Sequence, residues 1–247
     1  MIGKFNFCKT QKKLSWFLLC FAFSLFPYAN ARAGGVNITS YGHSSMLIKG
    51  GGQSILLNPF KAVGCASGLQ EPKVKVDVIL ASSNLADEGA RLAKGIFLVN
   101  PGSYRIQGKK FEGFAVDHDR LGGRRYGKAT IWQWEQAGLN FAHLGGSAAP
   151  LTGEDKVLLG RPDVLIIPVG GGSKVYEAVE AAKVVRYLKP RHIIPVQYAD
   201  KRSPKNCNLS GIEPFLEQME GFEVRQVDSN FYIENDTDDE NIINLIR

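Results

Sequence analysis

Histidine and cysteine are scarce in this sequence, with four residues of each among 247. A zinc cluster built on these residues needs several ligands at close spacing, such as paired Cys-x-x-Cys motifs, and no such group is present. A structural zinc cluster of this kind is therefore excluded. No internal repeat is evident. The hydrophobic content of 44% and charged content of 22% are typical of one ordinary globular α/β domain.

Acidic residues are missing from the first 33 positions, although this segment carries the basic residues Lys4, Lys9, Lys12, Lys13 and Arg32. The whole chain has a formal charge of +6 and a pI near 9.1, and such values suggest a nucleic-acid partner. Without the five basic residues, the formal charge would be only +1. We therefore expect no nucleic-acid partner.

A long membrane-spanning run is missing as well. Residues 14–26 are apolar, but this run is shorter than the roughly 20 residues that cross a bilayer as a helix. Basic residues precede it, and Pro27 and then Ala31-Arg32-Ala33 follow it, an order typical of a secretory signal peptide over residues 1–33. We predict cleavage before Gly34, export to a periplasm or a thylakoid-type lumen, and no transmembrane segment in the mature chain. The alternative is an uncleaved membrane anchor.

A short apolar run at Val78-Ile79-Leu80 predicts a buried strand near the middle of the first half of the chain. Ser82-Ser83-Asn84 then interrupts the apolar pattern. Asp87 and Glu88 suit a helix N-terminus, so we predict a helix over residues 87–94. Loops at the carboxyl ends of buried strands are where α/β proteins place their chemistry, which makes this loop a candidate site.

The remaining pattern predicts a mixed α/β chain. A hairpin over residues 36–48 and 53–58 turns at three consecutive glycines. Helices are predicted over residues 174–188 and 212–219. The apolar side of the first is predicted to hold Val175, Ala178, Val179, Ala182, Val185 and Leu188. Further strands are predicted over residues 96–99, 104–106, 111–116, 129–134, 140–143, 163–169, 191–196, 222–227 and 231–233.

Three other features each allow two interpretations. Trp132 and Trp134 share one face of their strand and form either a stacking platform for a ligand or, as we favour, part of the core. The basic turn at residues 120–125 is either an anion site or, as we favour, a solvated loop. The glycine loop at residues 170–173 precedes a helix and could bind phosphate, but its spacing is not that of a nucleotide-binding loop.

Four segments occur in a familiar order, at residues 41–48 (beginning Tyr41-Gly42-His43), 55–60 (ending Asn58-Pro59-Phe60), 168–172 and 189–198. With them the chain resembles the metallo-β-lactamase superfamily, and specifically its small lactonase-like branch of predicted Zn-dependent hydrolases. The resemblance covers nearly all of residues 36–233 and implies an αββα sandwich, with residues 34–233 as the domain. Acidic residues at the start of residues 234–247 predict a flexible tail.

The metal-binding motifs of this family are degenerate in the chain. Where the family has His-x-His-x-Asp-His, this chain has Ser83, Leu85, Asp87 and Glu88. Zinc prefers nitrogen and sulfur donors, and Leu85 has no donor atom at all. The first motif therefore retains only its aspartate.

The other metal-binding motifs of the family are also altered in this chain. The bridging aspartate of the His-x-Gly-Asp motif falls at Gly146, the last histidine falls at Gln197, and the aspartate of the Asp-Pro-Phe turn is Asn58. Of the metal-binding positions, only Asp87 and His118 keep a matching residue. The resemblance therefore implies that no dinuclear zinc site forms, and we expect no cofactor.

Two interpretations remain for the cleft. The one we favour is a non-catalytic protein that uses the cleft, or another surface, for binding or assembly with an unidentified small molecule or protein. The alternative is a hydrolase with altered chemistry, using one hard ion (Mg²⁺, Mn²⁺ or Ca²⁺) or a metal-free acid/base site. Candidate ligands for the hard ion are Asp87, Glu88, His118 and Gln197, and the catalytic candidates are His118, His143 and Asp87. The full set of candidate cleft residues is His43, Asn58, Ser83, Asp87, Glu88, His118, Asp119, His143, Gln197 and Tyr198.

The mature chain would keep two cysteines, Cys65 and Cys207. In the fold that the chain resembles, the loops that carry them border the cleft, and export would place them in an oxidising compartment. The resemblance therefore implies a disulfide between Cys65 and Cys207 across the mouth of the cleft. The alternative is a pair of unlinked cysteines, buried as small apolar groups.

Overall fold

The computed structural model describes residues 1–3, 34–236 and 241–246. The chain divides into two compact units, Met1–Ala31 and Arg32–Arg247. The predicted signal peptide and its cleavage site lie outside the described residues, except for residues 1–3. Within the described part of the chain, no helix is long and apolar enough to cross a membrane.

The first sheet has six strands, and most of its hydrogen bonds join neighbours in the sequence. Its strands are β1 (Val36–Gly42), β2 (Ser45–Gly50), β3 (Gln53–Leu57), β4 (Lys75–Leu80), β5 (Lys94–Leu98) and β13 (Asn230–Ile233). They lie in the order β13-β1-β2-β3-β4-β5. The predicted turn at the three glycines is confirmed, and β2 and β3 on either side of it pair antiparallel. The single strand predicted over residues 36–48 is wrong, because it is divided into β1 and β2, which pair with each other. Strands β3, β4 and β5 run parallel.

The second sheet has eight strands and is antiparallel on one side and parallel on the other. Its strands are β6 (Gly102–Ile106), β7 (Lys109–Asp117), β8 (Lys128–Gln136), β9 (Leu139–His143), β10 (Val164–Pro168), β11 (His192–Val196), β12 (Glu223–Val227) and β14 (Ile242–Ile246). They lie in the order β12-β14-β11-β10-β9-β8-β7-β6. From β9 to β12 every neighbouring pair is parallel.

Alternation along each strand separates the apolar residues into layers, because successive side chains point to opposite faces of a sheet. In β10, Val164 and Ile166 join the core between the sheets, whereas Leu165 and Ile167 face the helices α1 (Gly153–Leu159), α2 (Ala178–Leu188) and α3 (Glu213–Gln218). In the first sheet, Leu47, Leu56, Val76 and Ile79 form a third cluster on its outer face. The αββα fold class is confirmed. Trp132 and Trp134 lie in the core between the sheets, as we favoured.

The predicted helix over residues 87–94 is wrong. This segment forms turns, and Lys94 already begins β5. The backbone N–H of Gly89 closes a single helical turn by donating to the Leu85 carbonyl, but that of Ala90 donates to Pro59 in the loop after β3, so the helix does not continue. The helix predicted over residues 174–188 begins at Ala178 instead of residue 174. Val179 is 48% exposed and does not belong to the apolar side.

The C-terminal segment also differs from the expected flexible tail. Ile242–Ile246 form strand β14, which lies between β11 and β12 and pairs parallel with both. Ile242 and Ile243 are buried. The apolar run at this end of the sequence therefore completes the second sheet.

Candidate functional site

The centre of the candidate site is a buried contact between Glu88, in the turns after β4, and His118, directly after β7. His118 Nε2 lies in hydrogen-bonding contact with Glu88 Oε1, and neither side chain has any exposed surface. Ser83 Oγ donates to the same carboxylate oxygen over 2.9 Å. Two elements from different sheets are therefore joined by a carboxylate–imidazole pair.

The remaining polar atoms of this pair are buried. Among the described residues, no partner is found for Glu88 Oε2 or His118 Nδ1. Gly146 has a φ of +79°, and a Cβ added there would collide with Glu88 Oε2. A position aligned with a metal-bridging aspartate in the family therefore carries no side chain here, and the Glu88 carboxylate lies against it.

Asn58 connects the loops beside this pair. Its Oδ1 accepts from Ser82 N over 2.8 Å and from Ser82 Oγ over 3.0 Å, and its Nδ2 donates to Ser44 Oγ over 3.2 Å. The backbone of Asn58 has a φ of 39°, in the left-handed region that few non-glycine residues adopt. These contacts give Asn58 a bracing role between the ends of β3 and β4.

A second polar group lies nearer to solvent. Lys174 Nζ is 2.5 Å from Asp87 Oδ2, and His43 Nε2 is 3.9 Å from the same oxygen. Burial raises the pKa of Asp87, but the charge and hydrogen bond of Lys174 outweigh burial and hold the pKa below its usual range. Burial lowers the pKa of His43, although the nearby carboxylates oppose this shift.

Gln197 links this outer group to the centre of the site. Its Oε1 accepts from Gly146 N over 3.4 Å, and its Nε2 lies 3.4 Å from His43 Nε2. His43 and Gln197 both have positive φ values, of 53° and 50°. Left-handed backbone at Asn58, His43 and Gln197 thus clusters in one region, as is common where a fold keeps its functional loops.

His143 is unsuited to the acid/base role that we considered for it. It is fully buried, and no partner is found for either ring nitrogen among the described residues. Burial lowers the pKa of His143 to about 3. The imidazole is therefore neutral at ordinary pH and lies out of reach of solvent.

Asp119 stabilises the basic turn that follows it. Its carboxylate accepts from the backbone N–H groups of Leu121, Arg125 and Tyr126 over 2.8, 3.0 and 2.9 Å. Burial raises the pKa of Asp119, but these hydrogen bonds outweigh burial and leave the pKa lowered. Asp119 is therefore a structural residue of the loop.

The glycine loop after β10 is occupied by groups of the chain itself. Arg120 donates to the carbonyls of Gly172 and Val175 and pairs with Glu180 over 3.1 Å. Glu177 forms a capping box at the start of α2. A carboxylate at this N-terminus leaves little reason to expect phosphate there, because both would use the same N–H groups.

The predicted disulfide is present. Cys65 and Cys207 are bonded, with 4.7 Å between their Cα atoms. A small cavity beneath the bridge is lined by His43, Cys65 and Tyr198, so the bridge borders the outer part of the site. Tyr198 also donates from its hydroxyl to the Ile246 carbonyl over 3.3 Å.

A zinc pair of the kind that the family motifs hold does not fit these residues. Leu85 and Gly146 offer no side-chain donor, and Glu88 Oε1 already accepts contacts from Ser83 and His118. Within the described part of the chain, no group of three or more His, Cys, Asp or Glu side chains is placed to hold a metal ion. A catalytic zinc ion is held by about three such ligands and a water molecule, so we derive no chemistry through zinc here.

Most of the predicted cleft residues are brought together, but Lys174 was missed. It lies at the end of the glycine loop in the second half of the chain, 87 residues from Asp87. Its only signal in the sequence was a cation following a predicted strand and loop. That signal does not identify its partner.

Two facing sheets with this strand order and polar loops between them define a metallo-β-lactamase-type α/β protein. Residues 37–197 match the sequence model of a family described as a beta-lactamase superfamily domain. The chain belongs to this family, and the predicted resemblance is confirmed.

Individual relatives agree with this assignment. A UPF0173 protein of Pyrococcus abyssi is 26% identical over 219 residues, covering 76% of this chain and all of the relative. A UPF0173 metal-dependent hydrolase of Pyrococcus furiosus is 26% identical over 194 residues, covering 66% of this chain and 84% of the relative. A Thermotoga maritima structure assigned to the Zn-dependent hydrolases of the superfamily has a TM-score of 0.69 at 26% identity, covering 85% of this chain and 98% of that one.

Proposed function

We propose that this chain is an exported metallo-β-lactamase-fold protein that has lost the dinuclear zinc site and acts as a non-catalytic binding or assembly protein. The observation that carries the proposal is the buried contact between Glu88 and His118. An imidazole at a family metal-binding position is engaged by a carboxylate of the same chain. Two cysteines joined in a disulfide are consistent with export to an oxidising compartment.

Accessibility supports the non-catalytic interpretation. A general base must come within hydrogen-bonding reach of the proton that it removes. Glu88 and His118 have no exposed side-chain surface, and His143 is equally buried. A substrate would reach these side chains only after the surrounding loops had opened.

A groove beside the cleft offers a place for a ligand. It has a volume of about 580 Å³ and lies at the carboxyl ends of β11, β12 and β14. Its walls include the apolar side chains of Tyr198, Ile212, Leu245 and Ile246. The charged residues Asp200, Lys201, Arg202 and Glu213 also line it. A groove of this size, with apolar side chains in its walls, has room for a small molecule. We therefore propose a small molecule with an apolar body as the ligand.

One observation favours the alternative, a hydrolase with altered chemistry. Asp87 lies beside His43 and is 23% exposed in its side chain. A carboxylate next to an imidazole at the mouth of a cleft is a suitable arrangement for metal-free acid/base chemistry. A single hard ion is less well supported, because Lys174 already neutralises Asp87.

Metal analysis of the purified protein tests the proposal. We expect far less than one zinc per chain and no hydrolysis of generic lactam, lactone or phosphodiester substrates. Stoichiometric zinc, lost together with an activity on chelation, would overturn the proposal. Binding of Mn²⁺ or Mg²⁺ that Asp87→Ala abolishes, and that the exposed control Asp228→Ala leaves intact, would favour the single-ion alternative.

A further inference from the structure

Helices α1 and α2 expose apolar side chains on the solvent side of the second sheet. On α1, Val157 is 75% exposed and Leu158 is 46% exposed, and Tyr187 near the end of α2 is 52% exposed. Two contacts place these helix ends side by side. Lys156 Nζ lies 4.4 Å from the centre of the Tyr187 ring, and Arg161 Nε donates to the Lys189 carbonyl over 2.7 Å.

Basic side chains surround these apolar groups. Lys183 lies one turn before Tyr187 on the same face of α2, and it lines a cavity between the helices together with Lys156. Lys189 follows at the end of α2. We define the α1/α2 patch as Lys156, Val157, Leu158, Lys183, Tyr187 and Lys189.

The acidic groups near the patch offset only part of its positive charge. Glu180 is paired with Arg120. Asp155 hydrogen-bonds to Thr152 in the capping box of α1 and keeps its negative charge, as does the exposed Glu154 beside it. The three lysines of the patch therefore exceed these two carboxylates by one charge. The patch therefore combines positive charge with exposed aliphatic side chains.

We propose that the α1/α2 patch binds the surface of an anionic phospholipid membrane. Basic side chains are attracted to anionic headgroups, while Val157 and Leu158 enter the boundary of the acyl chains. Tyr187 has an apolar ring and a polar hydroxyl, which suits the same boundary. A phospholipid bilayer presents an anionic surface directly above an apolar interior, so it matches both the lysines and the aliphatic side chains of the patch.

Vesicle co-sedimentation tests the proposal with phosphatidylcholine vesicles that contain or lack phosphatidylglycerol. All variants carry the same N-terminus, so any contribution of residues 1–33 is equal among them. We expect binding to the anionic vesicles that weakens at high salt. Lys156→Gln with Lys183→Gln should lower the partition coefficient about 25-fold, since each basic residue near the surface contributes about fivefold.

The apolar half of the patch needs its own variant and a matched control. Val157→Ser with Leu158→Ser should also weaken binding to the anionic vesicles. Lys94→Gln with Ile96→Ser changes a cation and a 49%-exposed apolar side chain on β5, away from the patch, and should bind like the unaltered protein. Equal binding to both vesicle types, or equal binding by patch variants and control, would overturn the proposal. So would a dimer that the patch variants dissociate while vesicle binding persists.

Discussion

Glu88 and His118 depend on each other because neither side chain reaches solvent. Breaking a buried pair by removing one member leaves an uncompensated polar or charged group, at a cost of about 3–5 kcal/mol. Replacing both members by apolar residues of similar volume is often close to neutral. The two kinds of substitution therefore distinguish a mutually dependent pair from two independent residues.

We predict that Glu88→Leu and His118→Leu each lower the free energy of unfolding by about 3–5 kcal/mol, and that the double variant lies within about 1 kcal/mol of the unaltered protein. Urea denaturation of the three variants measures these values. Ser83→Ala removes one hydrogen bond to Glu88 and should cost about 1 kcal/mol. Additive losses in the double variant would show that the residues act separately.

His143 should make stability depend on pH. Burial lowers the pKa of His143 from 6.5 to about 3 in the folded chain, so the unfolded chain gains its proton first as pH falls. The contribution of His143 is complete above pH 6.5 and is lost as pH decreases toward 3, by up to about 1.4 kcal/mol per pH unit.

We predict that His143→Leu makes the free energy of unfolding less dependent on pH. Between pH 6 and pH 5, the slope of that free energy against pH should correspond to about one proton fewer taken up on unfolding than in the unaltered protein. Urea denaturation at several pH values measures the slope for both proteins. His43, whose pKa burial also lowers, remains in both, so the difference isolates His143. Equal slopes would mean that His143 takes up its proton in the folded state.

Among the secondary-structure elements, strands with several consecutive apolar residues were predictable from the sequence. The runs that became β10 and β11 are buried throughout, and no competing contact alters them. The helix expected after Asp87 failed for a tertiary reason. The gain from acidic residues at a helix N-terminus is about 0.3–1 kcal/mol, less than the cost of leaving Glu88 or His118 unpaired in the interior.

The candidate site was predictable as a set of residues but not as a set of contacts. The family motifs identified Ser83, Glu88 and His118 as neighbours around a cleft, yet nothing local specifies that Glu88 turns toward His118, 30 residues away. The pairing depends on how closely the two sheets approach, and this distance is set by the core between them. Lys174 was missed for the same reason.

Strand β14 yields a prediction at the level of elements. Ile243 is fully buried against the helices, so Ile243→Ala should lower the free energy of unfolding by about 2–5 kcal/mol. Val224 in the edge strand β12 is 43% exposed, and Val224→Ala should cost less than about 1 kcal/mol. Chemical denaturation compares the two variants. An equal, small effect at both sites would mean that this segment does not belong to the folded core.

At the scale of the whole molecule, the two halves of the sandwich, each built on one sheet, share the core between them and are also linked at the mouth of the cleft. Asp87 follows a strand of the first sheet, and Lys174 follows a strand of the second. Cys65 and Cys207 are arranged in the same way, after β3 and β11. One ionic and one covalent link therefore join the same two halves beside His43.

The covalent link should contribute strongly to stability because it closes a long loop. The two cysteines are 142 residues apart in the sequence, and the chain-entropy account gives up to about 5 kcal/mol for a loop of this length, with about 2–4 kcal/mol typical of measured bridges. We predict that Cys65→Ser with Cys207→Ser lowers the free energy of unfolding by about 2–4 kcal/mol. The unaltered protein under reducing conditions should match the double variant, and this control separates loss of the bond from loss of the thiols.

Alkylation of unfolded, unreduced protein followed by mass measurement establishes the starting state. Two labelled thiols on a chain that begins at Gly34, and so lacks Cys8 and Cys20, would contradict the bridge, and the two halves would then be joined at the mouth without a covalent bond.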